Sequence, residues 1–271
     1  MAGVSSKSLA AALESLEPKL ATASIALAQD LFAILEVLDS NAGLRRALID
    51  PTRESADKSA LATKLLAGKV GAQAQSVFLD LVASRWSDAR DLGDALEVLA
   101  ATSAIAVAEG QGGGSANLDA LEEELFTFIR VVGSSHDLQR ALDDGQATAA
   151  AKGALALKVV PLASPVSALL IRQAVAAPRG LKPTALVQRF VELVAKRQQR
   201  WIAYVSVTRD LSVEQLNRLQ AGLNNLYGRD LKINVNIDPT LVGGIKVVVG
   251  DEVVDASAAT RLSDLRRRLA V

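Results

Sequence analysis

The chain has 271 residues, with 30 Lys/Arg against 30 Asp/Glu, one histidine and no cysteine; half of it is hydrophobic and only 3% aromatic. Disulfides and thiolate metal sites are excluded, a single histidine leaves no His-based metal set or Ser-His-Asp triad, and zero formal charge argues against nucleic acid as the main partner. Alanine and leucine supply the apolar surface, which favours closely packed helices, because alanine loses no side-chain entropy and lets backbones approach.

The balance of charge hides a division. Residues 1–110 hold 10 Lys/Arg and 14 Asp/Glu, a net of −4, and residues 111–271 hold 20 and 16, a net of +4. No run approaches the ~18 apolar residues of a membrane-spanning helix. The N-terminus has neither the apolar core of a signal peptide nor an Arg-rich presequence, so a soluble, cytoplasmic protein is expected.

Taken in order, the chain first shows a repeat. Leu31 to Asp50 (LFAILEVLDSNAGLRRALID) aligns without a gap on Leu125 to Asp144 (LFTFIRVVGSSHDLQRALDD), an offset of 94. The same offset carries Lys58 onto Lys152, Leu61 onto Leu155, Lys64 onto Lys158, Arg85 onto Arg179 and Leu99 onto Leu193. A shared offset over some 70 residues reads as a duplication. Leu31, Ile34, Leu35 and Leu38 form one helical stripe, with Leu125, Phe128, Ile129 and Val132 as its counterpart. Asn41-Ala42-Gly43 and Gly133-Ser134-Ser135 break these helices, and Leu44 to Ile49 is a short helix ended by Asp50-Pro51. Helices are then predicted over Ser55 to Ala67, Ala74 to Arg85 and Leu92 to Val107, with Thr148 to Val160, Pro165 to Ala176 and Pro183 to Arg200 as counterparts. Pro51, Pro165 and Pro183 are placed at helix starts, where the missing donor costs least. Gln111-Gly112-Gly113-Gly114-Ser115 has the composition of a flexible linker. The helix from Leu92 to Glu109 could close the first bundle or open the second.

After Arg200 the pattern changes to strand. Trp201, Ala203, Val205 and Val207 alternate with Ile202, Tyr204, Ser206 and Thr208. A helix follows, opened by a capping box of Ser212 and Gln215 with Leu211 able to staple onto Leu216, striped by Leu216, Leu219, Leu223 and Leu226, and closed by Gly228. Leu231, Ile233, Val235 and Ile237 mark a second strand that ends at Asp238-Pro239, since proline has no amide proton for the ladder. Gly243-Gly244 restarts the chain into Ile245, Val247 and Val249, which should form a hairpin with the strand before. Gly250-Asp251 is a further turn and Val253-Val254 a short edge extension. Ala258, Leu262, Leu265 and Leu269 then share one helical stripe, with Arg266, Arg267 and Arg268 in its last turn, where positive charge suits the helix dipole. The fold class is therefore α+β, mainly α: two related helical bundles, residues 1–110 and 111–200, followed by a small βαββα domain over 201–271.

Candidate chemistry is sparse. The glycines at 243, 244 and 250 suit turn geometry, and no Lys-Ser or Lys-Thr follows them at P-loop spacing. His136 reads as a surface residue at a helix start. Asp251, Glu252 and Asp255 lack EF-hand spacing. Lys196, Arg197 and Arg200 with Trp201 could touch RNA, but the stacking aromatic pair of RNA-recognition strands is replaced by Ile245, Val247 and Val249. No catalytic residue, metal ligand or cofactor site emerges, which favours an interaction protein.

The run from Asp238 to Leu269 resembles the C-terminal signature of the δ subunit of bacterial F-type ATP synthases, the relatives of the mitochondrial oligomycin-sensitivity-conferring protein. Asp238, Pro239, Gly243, Gly244, Gly250, Asp251, Asp255, Ser257, Arg261 and Leu262 match it in order and spacing. The resemblance extends over roughly 117–271, so the first copy is an additional bundle ahead of the ordinary subunit, as in a longer bacterial form. It implies a non-catalytic stator present once per complex. One bundle would hold amphipathic N-terminal helices of the α subunits, for which Val166, Leu169, Leu170 and Gln173 are candidate groove residues. The C-terminal domain would hold the b-type stalk, with Leu262, Leu265 and Leu269 as candidate contacts. Membrane association would be peripheral, at the cytoplasmic face of the plasma membrane and only through the complex, with no nucleic acid bound. The alternatives are an RNA- or anion-binding βαββα module with a helical adaptor, and a small-molecule enzyme, for which no acid-base pair is found.

Overall fold

The computed structural model describes residues 3–199, 202–228, 231–238, 241, 243–249 and 252–257. They fall into two compact units, residues 1–194 and 195–271; the first holds the first helical copy and the second copy as far as Val194, within its last helix. The class is α+β and mainly α.

The first unit opens with α1 (Val4–Leu20), which the repeat does not reveal, and continues through α2 (Ile25–Ser40), α3 (Ala42–Ile49), α4 (Ser55–Leu66), α5 (Ala72–Ala83) and α6 (Ala89–Gly110). It then passes through α7 (Ser115–Gly133), α8 (His136–Asp143), α9 (Ala149–Val159), α10 (Pro165–Ala176) and α11 (Pro183–Gln198). The offset of 94 carries α3 onto α8 residue for residue, α4 onto α9 to within one, and the first residue of α6 onto that of α11. The caps repeat too. Asn41 accepts from the Leu44 amide at 3.0 Å, and its counterpart Ser135 accepts from the Leu138 amide at 3.3 Å. Each satisfies one of the donors a helix start leaves open. Asp50 accepts from the Thr52 amide and Asp144 from the Gln146 amide, each at 2.9 Å. Pro51 belongs to the first of these Asx turns rather than to a helix start, because α4 begins only at Ser55. Pro165 and Pro183 do open their helices.

Helix α6 occupies the centre. Its 22 residues span about 33 Å. Leu92, Ala95, Leu96, Leu99, Ala100, Ala101, Ala104 and Ile105 are all fully buried, on more than one face. A helix apolar on more than one face must be covered on more than one side, and α6 packs against α1, α2, α3 and α5 of the first copy and against α7 and α10 of the second. Residues 111–114, with the composition of a linker, form a turn that returns the chain from α6 into α7, using positive φ at Gly112 and Gly114. Asn117 Nδ2 closes it by donating to the Ala108 carbonyl at 3.0 Å.

One ion cluster ties the second copy to the first. Arg179, between α10 and α11, has φ +52°, the single positive φ at a non-glycine among the described residues. Its Nε lies 2.7 Å from Asp39 Oδ2 at the end of α2, and its Nη1 lies 2.8 Å from Asp94 Oδ1 and 3.6 Å from Glu97 Oε2 on α6. Arg90 donates to the Arg179 carbonyl at 3.0 Å, and Arg45 donates to the Leu38 and Asp39 carbonyls at 2.7 and 2.8 Å. Gly93 makes room: a Cβ there would meet Arg179 Nη2 at 2.5 Å. Glu97 is 5% exposed. Burial pushes its carboxyl pKa up, the Arg179 guanidinium opposes that, and Asp94 reinforces it.

The second unit holds β1 (Ile202–Val207), α12 (Val213–Tyr227), β2 (Lys232–Ile237), β3 (Gly244–Val249) and β4 (Glu252–Ser257) in the sheet order β2-β1-β3-β4. The expected hairpin of β2 and β3 does not form. α12 is a crossover that returns β2 parallel to β1, so β1 stands between them and β3 pairs antiparallel with β1. The hairpin is β3 with β4, and the expected edge extension is a full six-residue strand. Ala203, Val205, Val207, Val247, Val249 and Leu231 form a core with Leu223 of α12. The capping box of Ser212 and Gln215 is present, and Gly228 caps the helix at φ +63°. The buried stripe ends at half-buried Tyr227, whereas Leu226 is 68% exposed. Tyr227, four residues after Leu223, packs against the core in its place.

Two outcomes are expected from urea denaturation of the full chain. Arg179→Met strands the carboxylates and lowers stability by about 3 kcal/mol. Gly93→Ala also destabilises, although the same exchange in an open helix interior stabilises by about 1 kcal/mol. The sign for Glu97 is opposite. A carboxyl whose folded pKa is raised contributes its stability below the usual carboxylate pKa and loses it as pH rises through the folded value. Glu97→Gln should therefore be at least as stable as the parent at neutral pH, with an advantage that shrinks as the pH falls toward 4.

Candidate functional site

The described signature residues are structural. Asp238 extends β2 by donating its amide to the Val207 carbonyl at 2.8 Å, and its own carbonyl accepts from the Leu241 amide at 3.2 Å. Gly243 and Gly244 have φ +154° and +86°, conformations that side chains resist, so the pair sets the turn into β3. Asp255 stands opposite Lys246 in the β3–β4 register, where opposite charges support pairing, and Ser257 stands opposite Gly244. Pro239, Gly250, Asp251, Arg261 and Leu262 lie outside the described residues, as do Leu265 and Leu269.

The residues proposed for a groove on α10 divide. Val166 and Leu170 are buried inside the bundle, while Leu169 and Gln173 are half-buried and reach the surface. A three-to-four residue spacing marks one helical face, and on α10 the inner part of that face is already covered by α6, α7 and α9. Val166 and Leu170 are thus core, and of the four only Leu169 and Gln173 reach the surface. Sequence reasoning passed over two apolar side chains of the same copy that do face solvent, Phe126 on α7 and Leu162 in the α9–α10 turn. Leu162 could have been noticed, since it sits between Pro161 and Pro165 outside any helical stripe.

The face of the sheet opposite α12 presents Tyr204 and Ser206 of β1, Lys232, Asn234 and Asn236 of β2, Lys246 and Val248 of β3, and Val253 of β4, placed side by side by the strand registers. Tyr204 is the one aromatic among them, so the stacked pair that RNA reading requires is not formed. His136 is exposed as the first residue of α8. Among the described residues no helix is long and apolar enough to cross a membrane.

The site geometry is that of packing surfaces, and comparison with known proteins agrees. The family model for the ATP synthase delta (OSCP) subunit matches residues 99–269, beginning inside α6. The chain is 60% identical to ATP synthase subunit delta of Pseudarthrobacter chlorophenolicus and 57% identical to that of Renibacterium salmoninarum, over the whole of both chains in each case. It is 40% identical to the Streptomyces griseus protein of the same name, again end to end. A solved chain of the Toxoplasma gondii mitochondrial ATP synthase hexamer aligns with 63% of this chain at a TM-score of 0.33 and 19% identity, too distant to transfer any arrangement. With a family match over most of its length and full-length relatives above half identity, the chain belongs to the ATP synthase δ (OSCP) subunit family.

Proposed function

We propose that the chain is a non-catalytic peripheral-stalk subunit of an F-type ATP synthase, which links the catalytic head to the stalk and keeps the head from turning with the rotor. The observation that carries the reading is the full-length match to δ subunits in a chain whose described residues form packed helices and a small sheet. In this reading the helical copies, bounded near residues 110 and 200, receive amphipathic N-terminal helices of the α subunits, with Leu169 and Gln173 on the contacting surface. A helix seated in an apolar groove binds through anchors at i, i+3, i+4 and i+7, which an alanine-rich bundle can accept. The C-terminal region from residue 201 receives the end of the b-type stalk through Leu262, Leu265 and Leu269. One copy serves each complex, held at the cytoplasmic face of the plasma membrane through its partners.

Two substitutions separate the roles. Leu169→Asp should weaken retention of the full chain on an immobilised α N-terminal peptide by about tenfold, the cost of desolvating a charge against an apolar anchor. Leu265→Asp should weaken binding of the b stalk while leaving the α peptide bound. Equal loss of both ligands in either variant, with a changed circular dichroism spectrum, would mean unfolding instead. A parent chain that binds neither ligand would remove the proposal.

A further inference from the structure

One large cavity in the helical unit has no place in the stator reading. It is an open depression of about 760 Å³ between the start of α1, the α3–α4 turn, the first turn of α4 and the α5–α6 turn. Three cations line it, Arg53, Lys58 and Arg85, against one carboxylate, Glu54. Lys58 is the unusual one. It is only 8% exposed, and among the described residues its ammonium has no hydrogen-bond or ion-pair partner. Its stem is buried along the cavity wall, and its ammonium is available to an anion without breaking a direct ion pair. The carboxylate that acts on Lys58, Asp50, is engaged by the hydroxyl and amide of Thr52 at 2.6 and 2.9 Å. Arg53 approaches Asp50 only to 3.9 Å, and the Arg85 guanidinium has no partner among the described residues. The first-turn amides of α4 also lack a side-chain cap, since Glu54 accepts none of them.

The second copy shows that this is not a general property of the repeat. The offset of 94 places Ala147 at the position of Arg53, Thr148 at Glu54 and Arg179 at Arg85. Thr148 caps α9 by accepting from the Ala151 amide at 3.2 Å, Arg179 is committed to Asp39 and Asp94, and Lys152 is only half-buried. The first copy alone keeps an uncapped helix start and three cations around a void. The other large cavity, about 500 Å³ beside the Arg179 cluster, has its guanidinium groups paired within the protein.

We propose that the first helical copy binds a phosphate-bearing anion in this cavity, with Lys58 as the central charge and Arg53, Arg85 and the α4 amides completing the cradle. Lysine supplies a point charge, arginine a planar fork, and a helix start its free N–H groups, which together suit a phosphate better than a carboxylate. The volume is within the range of small-molecule sites. Trp86, Val4 and Ile49 add apolar wall for a body attached to the phosphate. The source is a free phosphate ion or a phosphorylated small molecule.

Trp86 lines the cavity and provides the reporter. The full chain carrying Trp201→Phe retains Trp86 as its one tryptophan, and its fluorescence can be titrated with inorganic phosphate in one arm and ATP in the other. Saturable change is expected in at least one arm, tighter for ATP if an attached body uses the apolar wall. Lys58→Met in the same background should fold, with an unchanged circular dichroism spectrum, and weaken binding at least about tenfold, as loss of a charged hydrogen bond does. Lys152→Met should leave the titration unchanged. Absence of saturation in both arms up to tens of millimolar, or equal binding by the Lys58→Met variant, would overturn the proposal. So would a change produced only by acidic peptides.

Discussion

Everything in the helical unit depends on α6 being buried on more than one face. Its 22 residues leave only a narrow half-buried stripe through Asp91, Asp94, Val98 and Thr102 toward solvent, because both copies pack on it at once. Under the offset of 94, α1 corresponds to residues 98–114, which is the C-terminal half of α6 followed by its turn. The family match begins at residue 99. We read α6 as shared, its first half closing the first copy and its second half opening the next. That reading joins a duplication in sequence to a single body in space, which suits a part that must resist torque. Two bundles hung on a flexible glycine linker would yield to it.

The Arg179 cluster makes the same point electrostatically. Buried ion pairs add little net stability over apolar packing, because desolvation offsets attraction. What they add here is a specific seating: the α10–α11 turn brings Arg179 to Asp39 and Asp94 together, and the missing Cβ at Gly93 leaves room for its guanidinium. The two equivalent arginines of the repeat have thus diverged in use. Arg179 fastens one copy to the other, and Arg85 stays at the mouth of an open cavity.

The helices were legible because their signals are local. The stripe of Leu31, Ile34, Leu35 and Leu38, the caps at Asn41 and Ser135, and the capping box at Ser212 each depend on residues within one or two turns. The sheet order was not legible. Adjacent strands usually pair, and nothing in Leu231 to Val249 reveals that β1 inserts between β2 and β3; that follows from the parallel crossover through α12. Faces were misread where burial depends on neighbours distant in sequence. Val166 and Leu170 carry the spacing of a groove but lie against α6, α7 and α9, and Leu226 continues the leucine pattern while Tyr227 takes the buried place. Lys58 was visible only as a repeat position, since periodicity does not report whether a charge has found a partner.

The central claim, that the two copies form one cooperative body around α6, is tested most directly by native-state hydrogen exchange of the full chain. If α6 is shared, the slowest amides of α2 and α5 should exchange with the same opening free energy as those of α7 and α10, and Arg179→Met should lower all of them together. Protection that falls in α7 to α11 while α2 to α5 keep theirs would show two independent bundles and contradict the account.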